Sequence, residues 1–294
     1  MVDSIRIINK TTNEHIDLDK FSAMFLLDNE GVDWGVTTPT INTYPSIYGL
    51  GSKISNISFQ KPRVITITGW MINDNTGTIT QKKKLLNRFV NPLNDTQIQV
   101  MGKYYISGVF TNSVKYTNKR KENNDTVCKF QLSVTCSDPF FRLIKPLVYK
   151  DIEVASGIPY SGWRFDINNP SSITYGFEMY VKFAEEKMTQ YFTVQNVTIN
   201  DGKYTKISSG TVLSDTVYLS TVKGKYSFGN VDSVPTEEYP EEFNKLYVSS
   251  SDFEFVQLVP GKNTIAVACG LDTDLGDSLI DIYFNPVFLG FEEM

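Results

Sequence analysis

Hydrophobic and polar residues alternate along most of the chain, which is the pattern of half-buried β-strands. In the first half the alternating runs are 4–9, 21–27, 55–60, 63–70, 97–100, 104–110 and 126–136. In the second half they are 175–183, 191–199, 217–222, 253–258, 264–268 and 279–284. Residues 37–53 are rich in Thr, Pro, Gly and Ser, and a long loop is expected there. The pattern predicts a mainly β protein.

One segment has helical periodicity instead. Its apolar residues are Leu85, Leu86, Phe89 and Val90. Thr78 and Gln81 have the spacing of a capping box, and Asn91-Pro92 supplies a stop. We expect one short amphipathic helix over residues 80–90.

The first turn of this helix carries Lys82, Lys83 and Lys84, although the helix dipole disfavours positive charge there. One interpretation is a solvated basic face. The alternative is an interface helix whose lysines meet an acidic surface on a neighbouring subunit.

A second basic cluster lies between two predicted strands, 111–116 and 126–136. The polar tip that joins them, 117–125, contains Lys119, Arg120 and Lys121. The pattern indicates a long hairpin, which is either a plain surface hairpin or an arm that embraces a neighbouring subunit.

The chain has 294 residues, enough for two domains with cores of their own. Asp138-Pro139 ends the last strand of the first half. We expect two β-sandwich domains, 1–145 and 146–294, the first with the helix and the hairpin arm. Residues 1–149 carry 18 basic and 12 acidic side chains, and residues 150–294 carry 10 and 21, which suggests different partners for the halves.

Composition excludes several kinds of chemistry. The single histidine, His15, removes most routes to imidazole-based catalysis, and the three cysteines contain no close metal-binding pair. Residues 272–277 resemble part of a calcium loop, but Ile282 stands where the ligand glutamate belongs. We expect no catalytic residues, no metal, no cofactor, reduced cysteines, no signal peptide and no membrane insertion. The net charge of the first half is too small to favour nucleic-acid binding.

Aromatic residues leave one binding class open. Tyr160 and Trp163 could stack on sugar rings, although a core or interface role is commoner for an aromatic side chain. A carbohydrate-binding module is therefore the alternative to a structural role.

Four motifs, in this order, resemble the distal tail proteins of long-tailed phages and phage-derived particles. They are a strand ending in glycine before the helix (63–70), a "C-x-D-P-aromatic" strand end (136–141), an "L-x-D-T" turn (213–216) and a "P-G-x-N-x-I" hairpin (260–265) before the last strand.

The resemblance implies a homohexameric ring at the virion tail, assembled in the host cytoplasm. The first domain would form the ring and join the tail tube to the tail-tip hub. The second would be galectin-like or similar to a carbohydrate-binding module, and would carry a receptor-binding protein or contact a host glycan.

Overall fold

The structure is a computed structural model that describes residues 3–21, 24–36, 40–45, 52–58, 61–153, 163–182, 187–199, 205–213, 216–222, 227–230, 255–269 and 278–290. The chain divides into two compact units. The first comprises Met1–Ile144 and Leu289–Met294, and the second comprises Lys145–Phe288.

The first unit contains eleven of the described strands and one helix. In chain order they are β1 (Ser4–Asn9), β2 (His15–Asp19), β3 (Phe25–Asp33), β4 (Thr40–Pro45), β5 (Ser52–Ser58), β6 (Arg63–Ile72), α1 (Ile79–Phe89), β7 (Asp95–Val100), β8 (Tyr104–Phe110), β9 (Lys115–Tyr116), β10 (Val127–Cys136) and β11 (Phe141–Leu143). The mainly β prediction is confirmed.

The main sheet of this unit closes on itself. Its strand order is β11-β8-β7-β1-β2-β3-β6-β10-β9, and β8 also pairs with β10. Seven strands, from β8 round to β10, therefore form a barrel-like sheet. The predicted sandwich is not confirmed for this unit, because β10 pairs with β6 along its length and also reaches β8 at Val134 and Thr135.

The barrel interior is built by strict alternation on β6 and β10. The two strands pair over ten residues, and in each the buried positions alternate with partly exposed ones. Gly69 lies opposite Phe130, and a Cβ at Gly69 would stand 2.6 Å from the Phe130 ring. Glycine is required here because the ring occupies the space of a side chain.

The predicted helix is confirmed as α1, with Thr78 as its N-cap. The Gln81 N–H donates to Thr78 Oγ1 at 3.3 Å, and the Thr78 N–H donates to Gln81 Oε1 at 2.9 Å, which is a capping box. Leu86 and Phe89 are buried, and the Phe89 ring meets Phe110 edge to face. The apolar stripe therefore packs on the barrel core.

The loop predicted for residues 37–53 is partly wrong, because Thr40–Pro45 forms β4, which pairs with β5. The strand predicted at 21–27 begins only at Phe25 and continues to Asp33. Phe21 lies instead in an exposed turn, where Asp19 Oδ1 accepts the Phe21 N–H at 2.7 Å.

The described strands of the second unit are β12 (Leu147–Glu153), β13 (Trp163–Asn169), β14 (Glu178–Lys182), β15 (Lys187–Asn196), β16 (Thr205–Leu213), β17 (Thr216–Ser220), β18 (Ser227–Asn230), β19 (Gly261–Cys269), β20 (Leu279–Phe284) and β21 (Val287–Phe288). They include a five-stranded sheet, β12-β20-β14-β17-β18, and a four-stranded sheet, β13-β19-β15-β16. Both sheets contribute to one buried cluster, which includes Met179, Val217 and Ile282 from the first and Val194 and Val267 from the second.

Two of the cysteines are free and buried, Cys128 and Cys136 on β10. Burial raises the pKa of the Cys136 thiol to about 12, which keeps it protonated at neutral pH. No helix in the described ranges has the length and apolar content for crossing a membrane.

Candidate assembly surfaces

The β4–β5 hairpin is the first candidate surface. Its register runs from Thr40 opposite Ser58 to Pro45 opposite Ser52, with a bulge after Asn42. Among the described strands none pairs with it. A two-stranded hairpin alone is marginally stable in water, so this element gains stability when another surface covers it.

The tip between β9 and β10 is braced by its own hydrogen bonds. Asn124 Oδ1 accepts the N–H groups of Thr126 and Val127 at 2.8 and 3.0 Å. Asn123 Nδ2 donates to the Thr117 carbonyl at 2.9 Å. The tip therefore has a defined shape.

The same tip is also tied to neighbouring elements of the first unit. Lys83 Nζ donates to Asn123 Oδ1 at 2.9 Å, and Asn73 Nδ2 donates to the Asp125 carbonyl at 3.2 Å. With β9 only two residues long, these contacts make the segment a loop folded against α1 rather than a long free hairpin. Lys119, Arg120 and Lys121 are exposed on it, and Lys119 pairs with Glu122 at 3.4 Å.

The side chains of the three helix lysines lie in different surroundings. Lys82 is 1% exposed, and its Nζ lies 2.8 Å from both the Ile72 carbonyl and Asp74 Oδ1. Lys83 lies over the Tyr116 ring, with 5.1 Å between Nζ and the ring centroid. Lys84 alone is exposed. The three therefore do not form one basic face, and Lys82 is part of the interior.

The Asp74 carboxylate gives the first unit a pH-dependent contact. The hydrogen bond from Lys82, with those from Thr76, lowers the pKa of Asp74 to about 2. Because the folded pKa lies below the usual value, this contact stabilises the fold above about pH 4. That stability disappears as the pH falls towards 2. We expect Asp74→Asn to lower the melting temperature at pH 6 and the difference from the natural chain to close between pH 4 and 2, measured by circular dichroism. A difference that is constant with pH would contradict this assignment.

The "C-x-D-P-aromatic" motif folds around two side chains. Asp138 accepts the Phe140 N–H at Oδ1 and pairs with Arg142 at Oδ2, at 3.3 and 2.7 Å. This turn buries Phe141, whose ring packs edge to face on Trp34.

Arg63, the first residue of β6, completes that cluster. Its guanidinium lies 5.0 Å from the Phe141 ring centroid, and Nη2 donates to the Leu289 carbonyl at 2.5 Å. Burial lowers the pKa of this guanidinium. The arginine thus fastens the returning C-terminal segment to the first unit.

The "P-G-x-N-x-I" motif is explained by Asn263, which is fully buried. Its Nδ2 donates to the carbonyls of Val259 and Gly261 at 2.7 and 2.8 Å. Its Oδ1 accepts the Val259 N–H at 2.9 Å and Asn196 Nδ2 at 2.8 Å. Gly261 has a φ of +89°, which suits glycine. One amide therefore locks the turn and joins β15 to β19.

The structure does not bring the candidate sugar-stacking residues into a described site. Tyr160 lies outside the described residues, as does the loop 272–277. Trp163 begins β13, opposite Val267 of β19. Within the described ranges there is no group of three or more His, Cys, Asp or Glu side chains that could hold a metal.

A tyrosine cluster in the second unit was missed by the sequence reasoning. Tyr180 and Tyr218 are buried with ring centroids 4.8 Å apart, and Tyr283 packs on Tyr180. Beside them Lys182 pairs with Asp281 at 2.8 Å. These residues alternate with the core residues of β14, β17 and β20, and that alternation was the available signal. The burial of Tyr180 and Tyr218 shows that the five-stranded sheet is covered on both faces.

Comparison with known proteins gives a fold but no sequence family. No family model matches the chain, and no curated protein matches it. Among solved structures, the Dit protein of phage SPP1, described as a paradigm of the hub adsorption apparatus of phages that infect Gram-positive bacteria, aligns with a TM-score of 0.58 and 13% identity. The alignment covers 97% of this chain and 99% of that one.

The chain has the fold of a phage distal tail protein. The resemblance inferred from the four motifs is thus confirmed for the fold. The baseplate of phage P2 in its activated conformation with calcium also aligns, at 11% identity and a TM-score of 0.43, over 97% of this chain and 98% of that one.

Proposed function

We propose that the chain is a structural, non-catalytic protein of a phage tail tip, assembled in the host cytoplasm and placed between the tail tube and the tail-tip hub. The observation that carries this proposal is the likeness to SPP1 Dit, which extends over nearly the whole length of both chains. The motif order in the sequence supports it independently.

The first unit forms a homohexameric ring in this proposal. The β4–β5 hairpin is a better candidate for the inter-subunit arm than the tip 117–125, because the tip is bound to α1 and the hairpin has no strand partner in the described ranges. Lys84, Lys119, Arg120 and Lys121 remain candidates for contact with an acidic neighbour, since all four are exposed.

The second unit is proposed to be a galectin-like β-sandwich that carries a receptor-binding protein. Two antiparallel sheets with a shared apolar cluster support this architecture. The tyrosine cluster does not support a carbohydrate-binding role, because Tyr180 and Tyr218 are buried rather than presented as a platform.

The mass of the full chain in solution tests the ring. Light scattering after size exclusion should give about six times the 33.3 kDa of one chain at micromolar concentration. A mass of one chain at every concentration reached would overturn the ring proposal. Replacing residues 40–58 by a short Gly-Ser linker should reduce the mass to that of one chain, with the circular dichroism spectrum retaining its β signal.

A further inference from the structure

A groove of about 440 Å³ lies on the outer surface of the barrel, where β1 begins and where β2 and β7 end. This volume is within the range of small-molecule binding sites, about 300 to 1,000 Å³. The core-facing residues of these strand ends are Ile5, Leu18 and Val100, so the residues that alternate with them face outward. The lining includes the outward residues of the three strands and one residue of the turn after β7, namely Ser4, Arg6, Asp17, Asp19, Gln99 and Met101.

The polar groups of the lining are held in fixed orientations. Arg6 Nε and Nη2 donate to the two carboxylate oxygens of Asp17 at 2.7 and 3.1 Å. On the other side of Arg6, its cross-strand partner Gln99 donates from Nε2 to Gln97 Oε1 at 3.0 Å. The two-pronged pair uses two of the five N–H donors of a guanidinium, and a carboxylate has about four acceptor sites. A guanidinium, a carboxylate and an amide thus lie side by side with donors and acceptors left for a ligand.

The charge of the lining selects the kind of ligand. Two carboxylates, Asp17 and Asp19, accompany the single cation, Arg6, so the groove does not attract phosphate or another anion. In the part of the chain that the structure describes, no group of three or more His, Cys, Asp or Glu side chains could hold a metal. A neutral ligand that both donates and accepts hydrogen bonds fits this lining.

Met101 is a costly residue at its position in the groove. It lies in the turn from β7 to β8, which the Lys103 N–H closes by donating to the Val100 carbonyl at 3.1 Å. Its φ is +54°, and it is 55% exposed. In the described ranges the two other non-glycine residues with positive φ are Asn13 and Asp151, which belong to the types that tolerate this conformation. Neither backbone geometry nor core packing explains a methionine here, whereas contact with a ligand does.

A second exposed apolar residue lies beside the groove. Phe21 is 82% exposed, and its N–H donates to Oδ1 of the lining residue Asp19 at 2.7 Å. This hydrogen bond places an aromatic residue next to a carboxylate of the lining. An aromatic side chain can bury about 150 to 250 Å², so a ring left in water is an unused contact surface.

We propose that this groove binds a neutral oligosaccharide. Sugar hydroxyl groups both donate and accept hydrogen bonds, which matches the Arg6–Asp17 pair and the Gln99 amide. The C–H faces of sugar rings are apolar, which matches the exposed Met101 and Phe21. The site is distinct from the aromatic residues that were expected to stack on sugars in the second unit. The inference goes beyond the proposed function, since neither the ring nor its place in the tail depends on it.

A glycan array tests the class of ligand. The full chain is screened against neutral hexose and N-acetylhexosamine oligosaccharides, with sulfated and phosphorylated glycans on the same array. We expect binding to neutral members. The strongest neutral ligand is then titrated in solution by saturation-transfer-difference NMR, which suits weak binding to a large protein. Binding to the sulfated or phosphorylated members alone, or to no member, overturns the inference.

Two substitutions test the location of the site. Phe21→Ala should weaken binding about fivefold or more, because the ring loses its contact with the sugar. Met101→Gly should weaken binding about threefold or more, whereas its melting temperature should stay the same or rise, because glycine suits a φ of +54°. Leu93→Ala is the matched control and should bind as the natural chain does. Leu93 is 91% exposed and precedes β7, at the opposite end of that strand from Met101.

The same variants separate sugar binding from assembly. If Phe21→Ala and Met101→Gly bind the ligand as tightly as Leu93→Ala does, the groove is not the site and the inference fails. Light scattering should give both groove variants the mass of the natural chain. A lower mass would place the groove in a contact between subunits and would also overturn the inference. A natural chain that is monomeric would refute the ring and leave the sugar titration valid.

Discussion

Asn263→Ala is expected to destabilise the second unit by about 3 to 5 kcal/mol. The asparagine amide makes four hydrogen bonds, two as donor and two as acceptor, which is its full capacity. Alanine would leave the Val259 N–H and the carbonyls of Val259 and Gly261 without that partner in a part-buried turn, and it would also take a partner from the buried Asn196 amide. A buried polar group without a partner costs about 1 to 3 kcal/mol, and several smaller losses in the turn add to this.

Urea denaturation followed by far-ultraviolet circular dichroism measures this cost. The matched control is Lys262→Ala, one residue away, because Lys262 is mostly exposed and its pair with Asp166 is open to solvent. We expect the control to unfold at nearly the same urea concentration as the natural chain. A shift for Asn263→Ala no larger than that of the control would show that the turn does not depend on the amide.

Local patterns predicted the elements whose signal lies within a short stretch of the sequence. The strand at 279–284 matches β20 at both ends, since alternate residues face the core. The helix was found because its capping residues, Thr78 and Gln81, lie three positions apart in sequence. Both signals are complete within a few neighbouring residues.

The missed strands lack such a signal. β16, with the sequence Thr-Lys-Ile-Ser-Ser-Gly-Thr-Val-Leu, shows no regular alternation and is held as a strand by pairing with β15 across a bulge. β4 has Pro45 at its end and turn-forming neighbours, so its composition favoured a loop although β5 pairs with it. Pairing with the neighbouring strand in the chain overrides local preference in both.

The sequence identifies the motifs but not their physical basis. In the sequence, Asp138 and Asn263 are only members of motifs. In the structure, Asp138 fixes the turn that buries Phe141, and Asn263 fills a turn with four hydrogen bonds. Their partners lie up to 67 residues away in the chain. Sequence spacing alone could not supply those distances.

Lys82 is the sharpest disagreement between the sequence-based hypothesis and the structure. Three adjacent lysines on an amphipathic helix predicted a common basic face, because a lysine usually keeps its ammonium group in water. Burial of Lys82 depends on the end of β6, which presents the Ile72 carbonyl, and on Asp74 in the following turn. The ammonium thus has two partners that no helical periodicity reveals.

Lys82→Ala should therefore cost about 2 to 3 kcal/mol of unfolding free energy, measured by urea denaturation at pH 7. The variant removes a buried four-carbon stem and the cation that joins β6 to α1. Lys84→Ala is the matched control, and it should change the unfolding free energy by less than about 0.5 kcal/mol, because Lys84 is exposed on the same helix. Lys82→Met keeps most of the stem and loses only the charge, so it should fall between the two. Equal effects of Lys82→Ala and Lys84→Ala would contradict the burial of Lys82 and support a common basic face.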